Sequence, residues 1–395
     1  MGFMASPKNY RFEPDGFAAR IALAVLASAG IIYANLAPVI VTGLAQSPEI
    51  SSRTAGYVFS ANMFGTAIGG LVITFLITHL EWRRTAIPLL GLLIGVDIMA
   101  VFVDNLSALT AIRFLHGLVG GALIGVGFSV ISRIRNPEVT YSLLIFIQLS
   151  LGGLGIAVLT PFIPSMGMGI VWLSLAGFSI VTMLLIPFLD DYAFVKQADD
   201  DGDGGRAPWR VIILTLLALF LFQAGEMAAF AYVIEIGIGY ALEPEIVNMS
   251  VAVSLWIGAP AALLVAWWSL RSGRMRPICI GTSLIMASIS LLLIDDSLAF
   301  LFANIGFGIF FSLTIPYLLG ISSELDNKGQ IAAFAGFTSS LGLATGPAVA
   351  AFILQSGQLT QVVQFSIVLL IASILLILVP ARILDQRMKR GETQW

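Results

Sequence analysis

A single cysteine, Cys279, in 395 residues excludes an internal disulfide. Histidine is nearly as rare: His79 and His116 lie on different apolar stretches. With one thiol beside them they make neither a metal triad nor an activated nucleophile, so no enzyme, metal site or cofactor is expected. No glycine-rich loop is followed by Lys-Ser/Thr, which removes direct nucleotide drive. Charge is also scarce, at 11% of residues, where a soluble domain carries roughly 25%. The net charge of −3 gives no basic field, so nucleic acid is not an expected partner.

What is present instead is apolar length. Hydrophobic residues make up 58% of the chain, and about 20 of them in a row cross a bilayer core as a helix. Twelve stretches qualify: 17–44, 54–80, 85–103, 106–132, 139–163, 168–189, 209–240, 247–270, 277–294, 297–320, 330–354 and 361–383, numbered below as spans 1 to 12. Span 1 is too long for a signal peptide and has no small-residue cleavage site after it, so it reads as a retained helix. The expected fold is an all-α membrane protein embedded in the lipid bilayer.

Basic residues set the orientation. With both termini cytoplasmic, 18 of the 20 Lys and Arg fall on cytoplasmic segments, Arg53 sits at an outer end, and Arg113 lies in the membrane. A plasma membrane location, of the bacterial inner-membrane kind, suits the short loops and tails. The one long polar connection, 190–208, is rich in Gly and Asp and divides the chain into bundles 1–189 and 209–395. Its Asp199, Asp201, Asp203 and Gly204 imitate the start of a calcium loop, but Arg210 stands where a bidentate Glu is needed, so it reads as a solvated acidic linker.

The two bundles repeat. Arg83 and Arg274, Asp104 and Asp295, Arg113 and Asn304, Gly117 and Gly308, and Gly155 and Gly346 each differ by 191 positions. A constant offset through several loops is what a duplicated six-helix unit leaves. The same offset pairs Asn35 with Glu226.

These features are where a family resemblance becomes visible. The run Arg113-Phe-Leu-His-Gly117 resembles the span 4 motif of the major facilitator superfamily, an intramembrane Arg followed four residues later by Gly. Arg83-Arg84 resembles the end of that family's loop signature between spans 2 and 3, although Phe75, His79, Leu80 and Trp82 depart from its earlier positions. Arg271-Ser-Gly273-Arg274 resembles the second copy, with Leu270 in place of the acid. Gly342 to Pro347 resembles the family's antiporter Gly-Pro motif, yet it lies in span 11, and span 5 lacks the pair. The resemblance implies 12 transmembrane helices in two pseudo-symmetric six-helix bundles around a central cavity. It also implies secondary transport of a small organic solute by alternating access, with Arg83, Arg84, Arg271 and Arg274 as cytoplasmic gate residues.

A charged side chain at mid-membrane costs roughly 2.5–3.5 kcal/mol on insertion scales, so each needs a partner or a task. The strong candidates are Asp97, Arg113, Glu226 and Glu235. Asp97 precedes the turn at Asp104-Asn105 by about as many residues as Arg113 follows it, which puts both about 11 Å into the membrane. Two readings of Arg113 stay open. It pairs with Asp97 as a structural anchor, or it faces the cavity and acts on a substrate carboxylate or on the proton affinity of an acid. Glu226, close to the middle of span 7, is a candidate proton carrier, with substrate contact or a neutral, hydrogen-bonded structural acid as the other readings, and Glu235, nearer the outer face, is a gate or surface residue or a second proton-coupling candidate.

With spans 3, 6, 9 and 12 peripheral, as the resemblance implies, the candidate lining residues are Tyr33, Asn35, Asn62, Gln148, Gln223, Tyr232, Trp256, Asn304 and Tyr317, with Arg113 among them. His116, a neighbour of Arg113, reads as packed or cavity-adjacent, and His79 as solvent-facing. The glycine pairs read as sites of close helix approach, and Trp82, Trp209, Trp267 and Trp268 as interfacial anchors. Pro38, Pro161, Pro260, Pro316 and Pro347 are expected to interrupt their helices. Protons are the expected coupling ion and a monomer the expected state. Uptake symport of a solute such as a carboxylate leads, proton-antiport export of amphipathic compounds or drugs is the alternative, and a non-transporting membrane sensor is the remote one.

Overall fold

A computed structural model describes residues 11–47, 50, 52–192, 206–268, 273–326, 329–354 and 359–392. Arg271 and the calcium-like string at Asp199, Asp201 and Asp203 lie outside the described residues, as do Lys8, Lys196 and Lys328. The chain is helical throughout, because lipid offers no partner for backbone N–H and C=O and each span must satisfy its own. Nine helices among the described residues are long and apolar enough to cross a membrane. Helices also occupy the other three positions: Trp82–Ala100, Pro244–Trp268 and Gln330–Leu354. The first of these begins with two arginines and carries Asp97, which dilutes its apolar character.

Spans 1 and 7 are each two helices, Phe17–Asn35 with Ala37–Ala45 and Trp209–Ala231 with Val233–Gly239. Pro38 stands in the first turn after the break in span 1, where a missing N–H costs nothing. The break at Tyr232 has no proline near it. Conversely, Pro260, Pro316 and Pro347 lie inside continuous helices, which corrects the expectation that they interrupt them. Pro161 does coincide with an end, a 3-10 turn at Thr160–Phe162 after span 5.

The repeat is visible in which helices touch. A Cβ on Gly117 of span 4 would collide with Asn62 O of span 2, and one on Gly308 of span 10 would collide with Ser254 O of span 8. A Cβ on Gly155 would strike Leu36, and one on Gly346 would strike Ala224 O, joining spans 5 to 1 and 11 to 7. Even the caps match. Asn105 and Asp296, again 191 apart, each accept from a backbone N–H three residues on, at 2.9 Å, to start spans 4 and 10.

Spans 2 and 4 are in backbone contact over about two turns, because Gly65, Gly69, Gly117 and Gly121 leave no side chain between them. Gly69→Ala would drive a methyl into Leu118 O, whereas a Cβ on Gly91 of span 3 meets nothing within 4 Å. We expect Gly69→Ala to cost about 1–3 kcal/mol by overpacking and Gly91→Ala to leave the thermal midpoint in detergent unchanged. Equal midpoints would refute the close approach.

The two bundles meet through spans 2 and 11, 4 and 11, 5 and 8, and 5 and 10. Hydrogen bonds across this seam lie on the side that carries the linker ends. Tyr141 Oη and Ser323 Oγ are 2.8 Å apart, and Gln330 Nε2 donates to Thr74 O at 3.5 Å. Gly329, with φ of 70°, lets its loop settle against Ser129 and Ser132. Among the described residues these bonds tie the two bundles together on the linker side.

Candidate functional site

The first charged group met along the chain at mid-depth is Asp97, and it is fully enclosed. Arg113 Nη1 donates to Asp97 Oδ1 at 2.8 Å, and both side chains are 0% exposed. The guanidinium also lies 4.2 Å from the centre of the Trp172 ring of span 6, a face-on cation contact that compensates part of its lost hydration. Tyr33 of span 1 stacks on Trp172 at 6.4 Å and on Phe59 at 5.6 Å, closing the pocket from the opposite side. Asn62 of span 2 donates to Arg113 O at 2.8 Å. Thus Tyr33, Asn62, Asp97 and Arg113 form one cluster from four spans, and in this conformation Arg113 is held by Asp97 and does not face open space.

Two further residues complete that cluster: His116, which the sequence places beside Arg113, and Trp172, which it does not single out. His116 has Nε2 3.4 Å from Asp97 Oδ2 and Nδ1 2.9 Å from Asn62 Nδ2. Its signal was its place three residues after Arg113, which puts both on one helix face. Trp172 had no such signal, because nothing in the sequence brings span 6 to Arg113.

The remaining candidates lie apart from this cluster. Asn35 Nδ2 donates to Gln148 Oε1 at 3.2 Å, tying span 1 to span 5. Gln223 donates to Ser339 Oγ at 2.5 Å and Tyr232 Oη to Pro347 O at 3.0 Å, tying span 7 to span 11. Asn304 turns back to Phe300 O of its own helix at 2.8 Å and lines a small cleft with Phe230 and Phe307. Tyr317 is buried. Trp256 is 52% exposed and packs edge-on against Gly153 of span 5. Glu235 falls in the short second helix of span 7, and its side chain lies outside the described residues.

Glu226 stands alone. It is 4% exposed, and among the described residues no hydrogen bond or ion pair reaches its carboxyl. Phe222 and Phe230, four residues to either side, share its helix face. They stack on span 10, Phe222 with Phe311 at 6.2 Å and Phe230 with Phe307 at 5.3 Å, and Phe307 stacks on Phe311 at 6.1 Å. Glu226 therefore occupies the middle of a phenylalanine ladder, a feature the sequence did not reveal.

The arginines of the loop motifs make clasps outside the membrane. Arg83 donates to Asp191 Oδ1 at 2.8 Å and to Leu189 O, and Trp82 Nε1 donates to Asp191 O at 2.6 Å. Arg274, its repeat counterpart, donates through Nε to Glu324 Oε1 at 2.8 Å and through Nη2 to Glu324 Oε2, a two-pronged contact. Its backbone N–H and that of Met275 donate to Asp385 at 2.7 and 3.1 Å, so Asp385 caps span 9. Among the described residues Arg84 pairs with exposed Glu81.

Burial pushes the Glu324 carboxyl above its ordinary value of 4.5, and Arg274 pulls against that. A raised folded value means that Glu324's contribution is fully present below 4.5 and is lost as pH rises through the folded value. Arg274→Ala removes the opposing pull. We expect it to cost about 1–3 kcal/mol near neutral pH, with the loss growing as pH rises, while Arg84→Ala costs under about 0.5 kcal/mol. Thermal midpoints at several pH values check both.

Twelve spans in two matching bundles around a central cavity, with ionisable groups buried at mid-depth, define the architecture of a secondary transporter. A family profile described as Major Facilitator Superfamily matches residues 22–294, and the chain belongs to that superfamily. The fold is similar to the crystal structure of the superfamily transporter FucP in the outward conformation. That match has a TM-score of 0.74 and 13% identity, covering 92% of this chain and 98% of the other. It is also similar to a variant of the E. coli fucose:proton symporter FucP, at a TM-score of 0.71 and 12% identity, covering 91% and 98%. At these identities the likeness is one of fold. No curated protein matches.

Proposed function

We propose that the chain is a proton-coupled uptake symporter of a small organic solute, with Glu226 as the group that takes up and releases the proton. The observation that carries this is a carboxyl buried at mid-membrane, on the bundle opposite the Arg113 cluster, with no partner among the described residues. Such a group has a task or a cost, and proton exchange is the task an isolated carboxyl can do. The fold shared with a fucose:proton symporter supports the symport direction.

The solute sits against the Glu226 face in this reading. A substrate carboxylate at Arg113 would have to displace Asp97, and it would leave that acid buried and unpaired. The expected solute is therefore an amphipathic compound without a net negative charge. Two bundles, 1–189 and 209–395, rock about the linker 190–208, with the linker side cytoplasmic, in a bacterial inner membrane and as a monomer. A second reading, antiport export of a cationic amphipathic compound, is favoured by the phenylalanine ladder, since aromatic faces beside an acid suit a cation that competes with the proton.

The test is proton flux in liposomes under an imposed pH gradient, with a panel of sugars, aromatics, organic acids and cationic amphipaths. Protons moving with the solute support symport. Protons moving against it support antiport, and solute flux without proton movement refutes coupling.

A further inference from the structure

The sealed cluster in the first bundle fixes the state of its imidazole. Asn62 Nδ2 is 2.8 Å from Arg113 O and 2.9 Å from His116 Nδ1. Arg113 O can only accept, so the nitrogen end of the amide must point there, and the same nitrogen then donates to Nδ1. His116 Nδ1 is consequently bare, and the ring proton is on Nε2, facing Asp97 Oδ2 at 3.4 Å. A second proton has one place to go. It meets an N–H of Asn62 there, and the two cannot coexist.

Protonation of Nδ1 therefore requires Asn62 to turn away. Turning also removes its hydrogen from Arg113 O, which is the side-chain tie between spans 2 and 4 at the level where glycines bring the two backbones together. Groups from five spans face His116. Asp97 from span 3 presents Oδ2, which is buried with no hydrogen bond, and Arg113 of its own span is already neutralised by the other oxygen. Tyr33 from span 1 lies tilted against the ring at 5.6 Å, while Asn62 from span 2 and Trp172 from span 6 carry no charge. Asp97 Oδ2, Arg113 Nε and Tyr33 Oη are all left without partners in this one cluster.

We propose that His116 is a second proton site, separate from Glu226, whose protonation at Nδ1 releases Asn62 and loosens span 2 from span 4. Span 2 packs on span 11 of the other bundle, so the release reaches the seam between the halves.

With only two histidines in the chain, ring-labelled histidine makes the state of each nitrogen visible by nitrogen NMR on the full protein in nanodiscs, and His79→Gln assigns the signals. The companion readout is the spin-label distance between Ile68→Cys and Leu115→Cys in a Cys279→Ser background. We expect Nδ1 bare and Nε2 protonated in alkaline buffer, with Nδ1 gaining a proton when the sample is acidified. The distance should lengthen in step by about 1–2 Å, the size of a helix shift. Glu226→Gln should leave both changes intact, which separates this site from the coupling reading, and Asn62→Leu should abolish the distance change. A proton on Nδ1 in alkaline buffer, no proton gained at Nδ1 on acidification, or a proton gained at constant distance would overturn the proposal.

Discussion

Solute-linked proton movement is expected to vanish in Glu226→Gln, while solute exchange across the same liposomes at equal pH persists. Gln keeps the size and hydrogen-bonding shape of a protonated Glu but cannot release a proton. A transporter held in that form can still carry solute both ways, but it has lost the step that ties solute to the gradient. Uphill accumulation should fall by at least about tenfold, equivalent to about 1.4 kcal/mol of coupling. The burial of Glu226 and its lack of a partner among the described residues make the substitution mild for the fold, since no ion pair described there is broken. A thermal midpoint near that of the wild type would separate loss of coupling from loss of structure. Proton movement equal to that of the wild type would give Glu226 a purely structural place and move the search to Asp97 and Glu235.

Asp97→Asn should be the most destabilising conservative change in the first bundle. It leaves the Arg113 guanidinium charged, 0% exposed, and facing a neutral amide. Breaking one side of a buried pair typically costs about 3–5 kcal/mol, because the surviving charge is uncompensated. Removing both charges in Asp97→Asn/Arg113→Gln should recover most of that loss, since no buried charge is left. Denaturation followed by tryptophan fluorescence suits the measurement, because Trp172 lies against the guanidinium. If the double variant were as unstable as the single one, the charges would matter less than the packing of the Arg113 side chain against Trp172.

The spans were legible in the sequence because the bilayer imposes one length and one composition on each, and most ends fall within a few residues of the expected positions. Their interruptions were not. Proline was the natural marker for a break, yet Pro260, Pro316 and Pro347 sit in unbroken helices while span 7 divides at Tyr232 without one. A proline removes one hydrogen bond, and neighbouring helices in a bundle hold the rest of the turn in place. The site was legible only as depth. Counting helix rise puts Asp97 and Arg113 at one level, but depth says nothing about rotation, and rotation decides whether a polar group meets a cavity or a neighbour. That is why the partners of His116, the place of Trp172 and the rings around Glu226 emerge only from the fold.

The offset of 191 carries one more consequence. Applied to Asp97, Arg113 and His116, it gives Ser288, Asn304 and Phe307, an uncharged trio, and a Cβ on Gly306 beside them would run into Ser288 Oγ. The chain thus contains two renderings of one helical arrangement, one ionic and one neutral. The neutral one serves as a template that this scaffold already accommodates. Transplanting it as Asp97→Ser/Arg113→Asn/His116→Phe asks what the ions contribute beyond folding, with the protein acting as its own reference.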